Sequence, residues 1–317
     1  MNKKNTPLES FIISIAITIA LSIFTSQALA KEPKPKDKIT PPPKKQIAIT
    51  CPFFLRTCLE NLIREFQKNT KGLQVIVINK KNRAEQQQAP ESLLHFTFIK
   101  NYHPETLESN SSKQEKGSFE SIGRIPLAIF VNNQNPLKGL TIPQIDSIFS
   151  KNRRCGFPFD IHNFGQLGLT GKWMNSEIES LGPAPYPYLI GWFKNDCLCQ
   201  GTFKEDVKLL ATKVDLFKAI STQTEAIGFY IFTGNEKGIR PVAISLEEGK
   251  DYFLPSPDKI NSGDYPLVAT VGIRYQKKGL QQEESSFLNF CLSKKGQKIL
   301  LSCGITPLYP KGYREKK

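Results

Sequence analysis

A few short residue groups in this 317-residue chain could do chemistry. In Gln200-Gly201-Thr202-Phe203-Lys204-Glu205, Thr202 stands three residues before Glu205, the spacing of a Thr-x-x-Glu capping box, which predicts a helix start. A helix start offers free backbone N–H groups and the positive end of the helix dipole, and Gly201 lets an anion approach the backbone closely. The same residues would serve equally as an ordinary helix cap. Asp160 and His162 form an isolated acid-base pair with no nucleophile nearby, as expected of a solvated loop. Thr202 has no identifiable base to activate it. The three histidines, His95, His103 and His162, are dispersed and no Cys-x-x-Cys spacing occurs, so the pattern is not a zinc site. No nucleotide loop is present, and no cofactor is expected. The chemistry on offer is anion binding rather than catalysis.

Seven cysteines in an exported chain predict disulfides with one thiol left over. If Cys51 and Cys58 lay in one helix they would be about 10.5 Å apart along its axis. That exceeds the roughly 7 Å Cα separation a bridge allows, so pairing them requires Cys51 outside the helix. Cys197 and Cys199 are too close to pair comfortably with each other, and either could reach Cys155. Cys291 with Cys303 is the remaining candidate.

These residues must be held by elements that the hydrophobic pattern outlines. Residues 46–50 (QIAIT) and 73–79 (LQVIVIN) predict strands, and Leu55, Leu59, Leu62, Ile63 and Phe66 between them recur at helical spacing. Strand–helix–strand at this spacing predicts a parallel α/β unit. Residues 80–90 are polar and predict a loop, 95–99 (HFTFI) a third strand, and 102–119 an exposed excursion. Residues 126–132 (PLAIFVN) predict a buried strand and 141–150 a helix. The Gly-, Pro- and aromatic-rich stretch 155–187 predicts irregular loop, and 203–220 a helix. Further strands are expected at 226–232 and 267–275, and a closing helix at 285–302.

The chain opens with Lys3 and Lys4, an apolar run over 11–24, and Ala28-Leu29-Ala30, which together predict an export signal cleaved after Ala30. The apolar run is shorter than the roughly 20 residues that cross a bilayer, so no stable membrane insertion is expected after cleavage. Residues 31–45 are rich in Pro and Lys and predict an extended tether. About 270 residues remain, enough for two lobes with cores of their own. The formal charge of +14 is scattered rather than clustered with aromatics, and part of it belongs to the tether and to the tail 313–317. That pattern excludes a nucleic-acid signature and leaves a basic surface that favours anionic ligands.

The segment 135–173 carries Asn135-Pro136, Leu140-Thr141, Ile148-Phe149-Ser150 and Gly168-Leu169-Thr170-Gly171-Lys172-Trp173 in order. It resembles the PstS-like phosphate-binding proteins, the extracytoplasmic substrate-binding subunits of phosphate ABC transporters. The resemblance continues through Ala226-Ile227-Gly228-Phe229, through Gly263-Asp264-Tyr265-Pro266-Leu267, and through Leu292 to Gln297 with Gly304 and Pro307-Leu308. It implies an α/β fold of the type II periplasmic binding protein class, two lobes joined by two crossing strands with a ligand cleft between them. The implied division is signal 1–30, tether 31–45, lobe one from 46–129 with 268–317, and lobe two from 130–267. The crossings are expected near Phe130 and Ala269.

The resemblance also implies ligand contacts. The family's Ser-Gly-Thr corresponds to Gln200, Gly201 and Thr202. Its usual Arg falls at Asp196, which could only accept from a protonated phosphate, and Lys194 could supply the missing charge as a mobile point charge. The first ligand loop is Thr50-Cys51-Pro52-Phe53-Phe54, where Thr50 can cap a helix and Pro52 suits its first turn. The second loop is 79–83, and the Arg expected after the Tyr-Pro-Leu turn is Ala269. The implied function is binding of inorganic phosphate or a related oxyanion for delivery to an ABC transporter permease, by a monomeric periplasmic protein that is not an enzyme. The alternative is a scaffold with a degenerate phosphate site that acts as a sensor or protein-interaction module.

Overall fold

The computed structural model describes residues 45–70, 72–78, 93–100, 117–184, 186–276 and 279–308. The expected export signal, nearly all of the tether, the loop at 80–90, the second ligand loop at 79–83 and the basic tail lie outside the described residues. So does 102–116 of the excursion expected over 102–119, whose last residues instead begin a long strand and bury Phe119.

Strand β1 (Lys45–Thr50) and strand β2 (Leu73–Val77) flank helix α1 (Arg56–Gln67). Helix α1 buries Cys58, Leu59, Leu62, Ile63 and Phe66 along one stripe, as its spacing predicts. Strand β3 (Leu93–Lys100) and the long strand β4 (Gly117–Asn132) follow. After β5 (Gly139–Thr141), helix α2 (Ile142–Phe149) starts on a reciprocal cap in which Thr141 accepts from Gln144 N–H and the Gln144 side chain accepts from Thr141 N–H. Then come β6 (Glu179–Pro183), α3 (Pro187–Cys197), β7 (Lys208–Leu210), α4 (Lys213–Thr222) and β8 (Ala226–Ile231). Short strands β9 (Ile239–Pro241) and β10 (Ala243–Ser245) and helix α5 (Pro257–Ser262) lead to β11 (Val268–Gln276). The described chain closes with α6 (Gln282–Leu292), α7 (Lys294–Ser302) and β12 (Thr306–Pro307).

The main sheet has the strand order β2-β1-β3-β11-β4-β8-β6-β7. Strand β4 serves both ends of it, pairing with β11 as far as Pro126↔Val268 and with β8 from Leu127↔Ile231 onward. Strand directions decide where the two ends meet. Strands β1, β2 and β3 are mutually parallel, β11 is antiparallel to β3, and β4 is antiparallel to β11. Strand β4 therefore runs with β1–β3 and leaves them at their C-terminal ends. Beyond Pro126, β8 is antiparallel to β4, and β6 is parallel to β8 and β7. Those three strands run back toward β1–β3, so the C-terminal ends of the two parallel sets face one another.

Each end has its own aromatic core. On the β8 side Phe193 stacks on Phe229 with centroids 3.7 Å apart, and Phe149 meets both edge-on at 5.1 and 5.8 Å. On the β1 side Phe66 packs against Phe287 at 5.2 Å and Phe290 at 5.5 Å. Such pairs stabilise beyond their buried area by about 1 kcal/mol each.

Three expectations are corrected here. Residues 203–220 are not one helix: 203 bridges to Ser150, 208–210 is strand β7, and the helix starts only at Thr212, whose side chain accepts from Asp215 N–H. The stretch 155–187 is not wholly irregular, because it contains β6 and reaches the start of α3. The closing helix is two helices, since Ser293 is extended and caps α7 through Gly296 N–H. Among the cysteines, Cys155 is bonded to Cys199, one of the two pairings expected for it. Cys291 and Cys303, the expected remaining pair, are not bonded to each other, and neither they nor Cys51, Cys58 and Cys197 form a disulfide. Cys291 is held on α6 while Cys303 ends α7.

Candidate functional site

Where the strand ends face each other, a cavity of about 420 Å³ is lined by Thr50 at the end of β1 with Cys51, Pro52, Phe53 and Arg56 beyond it, and by Val77 at the end of β2 with Ile78 beyond it. His95, Phe96 and Thr97 of β3 and Pro187 and Tyr188 of α3 complete the wall. The crevice beyond the C-terminal ends of parallel strands is where ligands bind in open α/β sheets, because loops and helix starts converge there. The Thr50 hydroxyl and His95 Nδ1 share a hydrogen bond of 2.6 Å, which fixes the loop after β1 against β3. Arg56 opens α1 and is oriented through Nε by Glu60 Oε1 at 2.8 Å. Burial is the main cause pushing the Cys51 thiol up to about 11, against the pull of Arg56, so it presents an uncharged S–H to the cavity.

Helix α3 starts beside this cavity with Tyr186 at its N-cap and no side-chain cap. Its first-turn N–H groups thus lack the usual side-chain acceptor, and Pro187 suits the first turn because it has no N–H to satisfy. A second cavity of about 1100 Å³ shares Phe53 and Arg56 and lies between α1, α4 and the end of α7. Its aromatic wall includes Tyr186 against Tyr230 at 5.6 Å, and Lys213 Nζ lies 5.0 Å from the Phe217 ring centre. Burial lowers the Lys213 pKa. The larger one reaches the end of β8 at Tyr230 and Ile231 and β4 at Ile125. The smaller one joins the ends of β1 and β2 to the start of α3 in a volume closer to that of a small anion, which makes it the better candidate.

The expected site residues divide into two groups. Thr50 and Cys51 line the cavity. Lys194, Asp196, Gln200, Gly201 and Thr202 gather at the other end of α3, about 16 Å away for an 11-residue helix. Gln200 N–H closes on the Lys194 carbonyl at 2.8 Å, so this is the C-terminal, negative end of a helix. The expected helix start at Thr202 is absent: its N–H and hydroxyl both donate to Asn152 Oδ1, at 2.8 and 2.7 Å. Gly201 packs against its neighbours, because a Cβ there would lie 2.4 Å from Ser150 Oγ and 2.8 Å from the Leu198 carbonyl. Lys194 Nζ lies 4.8 Å from the Phe203 ring centre, and Asp196 accepts from Asn195 at 3.4 Å. Arg56, His95, Thr97 and Tyr188 were missed from the sequence. For Arg56, its place just after the first loop was a usable signal; for the others only the sheet brings them in.

Among the described residues no group of three or more His, Cys, Asp or Glu is placed to hold a metal ion, and no helix is long and apolar enough to cross a membrane.

The fold is that of the type II periplasmic binding proteins. No protein-family model matches the chain. The phosphate-binding protein PstS of Pseudomonas aeruginosa strain PAO1 is 33% identical over 185 residues, 57% of each chain, and the PstS of strain UCBPP-PA14 matches to the same extent. The chain thus spans little more than half the length of the curated relatives it matches. Among solved structures, an ABC-type phosphate transport receptor from Vibrio cholerae superposes with a TM-score of 0.61 at 16% identity, covering 82% of this chain and 98% of that one. A putative phosphate ABC transporter substrate-binding protein from Clostridium perfringens, solved with bound phosphate, gives 0.59 at 16% identity, covering 84% and 100%. Over the 185 matched residues the chain is similar to PstS proteins, and its fold is shared with these solved structures.

Proposed function

We propose that the protein binds a small oxyanion, with inorganic phosphate the first candidate, between the facing C-terminal strand ends, and presents it to the permease of an ABC transporter. It is a binding protein and not an enzyme. The observation that carries this reading is the cavity where Thr50, Arg56 and His95 from one end of the sheet meet the uncapped start of α3 from the other. An oxyanion there would accept from a hydroxyl, a guanidinium and backbone N–H groups together. The names of the relatives, phosphate-binding and phosphate-transport proteins, support the ligand class. The two lobes follow the division 46–129 with 268–317 and 130–267, with closure about the crossing strands. The export signal and a periplasmic, monomeric life belong to the same reading.

The site residues carried forward from the sequence are Thr50 and Cys51, joined by Arg56, His95 and Tyr188. The residues 194–202 are tested beside them. One observation favours the alternative of a sensor or interaction scaffold: Pro52, Phe53, Val77, Ile78 and Phe96 give the cavity an apolar share of wall that a free phosphate would not use. Calorimetric titration with phosphate, sulfate and small carboxylates separates the two. One-to-one heats with phosphate or sulfate are expected. If no oxyanion titrates, the scaffold reading stands in its place.

A further inference from the structure

Helices α1 and α7 pack antiparallel. Lys295 in the first turn of α7 pairs with Glu65 near the end of α1. From that contact, seven residues back along α1 is Cys58 and eight residues on along α7 is Cys303, rises of about 10.5 and 12 Å. The register therefore sets the two thiols opposite one another. Cys58 is buried in the first turn of α1, and Cys303 ends α7, its N–H closing on the carbonyls of Ile299 and Leu300. Both line the 1100 Å³ cavity, and each thiol shifts the titration of the other.

We propose that Cys58 and Cys303 are a redox pair that closes to a disulfide, joining the first turn of α1 to the end of α7. The bond would anchor the helix that carries Arg56 to the segment running into β12, which pairs with β4 at Thr306↔Arg124, two residues before β4 changes partners. The two cysteines have different roles. Interaction with Cys58, and to a smaller extent with Ser302 and Asn61, lowers the Cys303 pKa against the effect of burial. Interaction with Cys303 and then burial raise that of Cys58. Cys303 is thus the nucleophile. Its thiolate attacks one sulfur of an oxidant disulfide such as oxidised glutathione, forming a mixed disulfide and expelling one glutathione thiolate, which takes up the proton that Cys303 lost. Cys58 then loses its proton, attacks the Cys303 sulfur and expels the second glutathione. Two protein thiols are oxidised and one glutathione disulfide is reduced to two thiols. Cys51 and Cys291 lie in the same neighbourhood, but burial raises both of their pKa values, which disfavours them as first nucleophiles.

The test treats the full chain with dithiothreitol or with oxidised glutathione, quenches with an alkylating reagent in denaturant, and maps unreduced peptides by mass spectrometry. The oxidised sample should contain a Cys58 peptide joined to a Cys303 peptide, with both sites lost to alkylation, and its Tm should rise by about 5–10 °C. In Cys303→Ala, with its fold checked by circular dichroism, Cys58 should remain alkylatable and the oxidant should leave Tm unchanged. Equal alkylation of Cys58 and Cys303 under both treatments overturns the proposal. So does a cross-link to Cys51 or Cys291 instead, or a Tm rise that persists in Cys303→Ala.

Discussion

In the proposed site Arg56 meets the ligand and Thr202 serves the fold, the opposite of what their sequence contexts suggest. Arg56 follows directly on the loop after β1 and lines the cavity where both sets of strand ends meet. Replacing it by Gln removes a charged donor, and a charge-assisted bond contributes about 1.5–3 kcal/mol, so oxyanion affinity should fall roughly tenfold or more by calorimetry. Stability should change by under about 1 kcal/mol, because the Arg56–Glu60 pair is exposed and such pairs contribute little. Wild-type affinity in Arg56→Gln would remove this cavity from consideration. Thr202→Ala should do the reverse. It deletes the 2.7 Å bond to Asn152 and should cost about 1 kcal/mol in denaturant unfolding while leaving anion affinity intact. A large loss of affinity in this variant would return the site to residues 194–202. Gly201→Val would not discriminate, since its side chain collides with Ser150 and Leu198 and lowers stability whatever the ligand does.

At the scale of elements, helix packing carries two measurable effects. Hydrogen bonds from Lys295 and then Lys68 lower the Glu65 pKa from 4.5 to about 2, tying α1 to α7. A carboxylate with a depressed folded-state pKa adds stability that is complete above its ordinary value and is lost as pH falls through the folded value. The Tm difference between wild type and Glu65→Gln should therefore hold at neutral pH and shrink between about 4.5 and 2. A difference that is constant down to pH 2 would mean that the contact contributes nothing. On the other side of the sheet, Phe193 in α3 stacks on Phe229 in β8 and meets Phe149 in α2. Phe193→Ala empties the centre of that core and should cost about 3–5 kcal/mol in urea unfolding. A cost under 1 kcal/mol would show that the neighbouring rings collapse into the space.

At the scale of the whole molecule, β4 is the element through which the two ends of the sheet communicate. Its partner change at Pro126/Leu127 is held by Leu127 N–H to the Leu267 carbonyl at 2.9 Å and by the buried Tyr265 hydroxyl to the Leu127 carbonyl at 2.8 Å. If ligand draws the facing strand ends together, the movement is a hinge about these strands. Small-angle scattering should then give a smaller radius of gyration at saturating phosphate than without it. An identical profile in both conditions would argue for the interaction-scaffold reading.

Strands β1, β2, β4, β8 and β11 were legible in the sequence because a run of branched and aromatic residues buried within a sheet is a local signal, whatever its partners. Helix α1 and the start of α2 near Thr141 were legible for the same reason: the signals that open and carry a helix act over a few residues. The ordered motifs from Asn135 to Leu308 pointed to the PstS-like fold, and with it to the loop at Thr50 and Cys51, which lines the smaller cavity. Other features depended on residues far apart in the chain. The Thr202 hydroxyl had a local use as a cap, but Asn152, brought beside it by the bridge between Ser150 and Phe203, took it instead. His95 reached the cavity only because β3 pairs with β1 at Thr50↔His95. The choice of Cys199 for Cys155, and the meeting of Cys58 with Cys303, were likewise settled by packing. Local sequence determined which segments became strands and helices; the direction and pairing of the strands decided which ends face one another, and so where a ligand can be held.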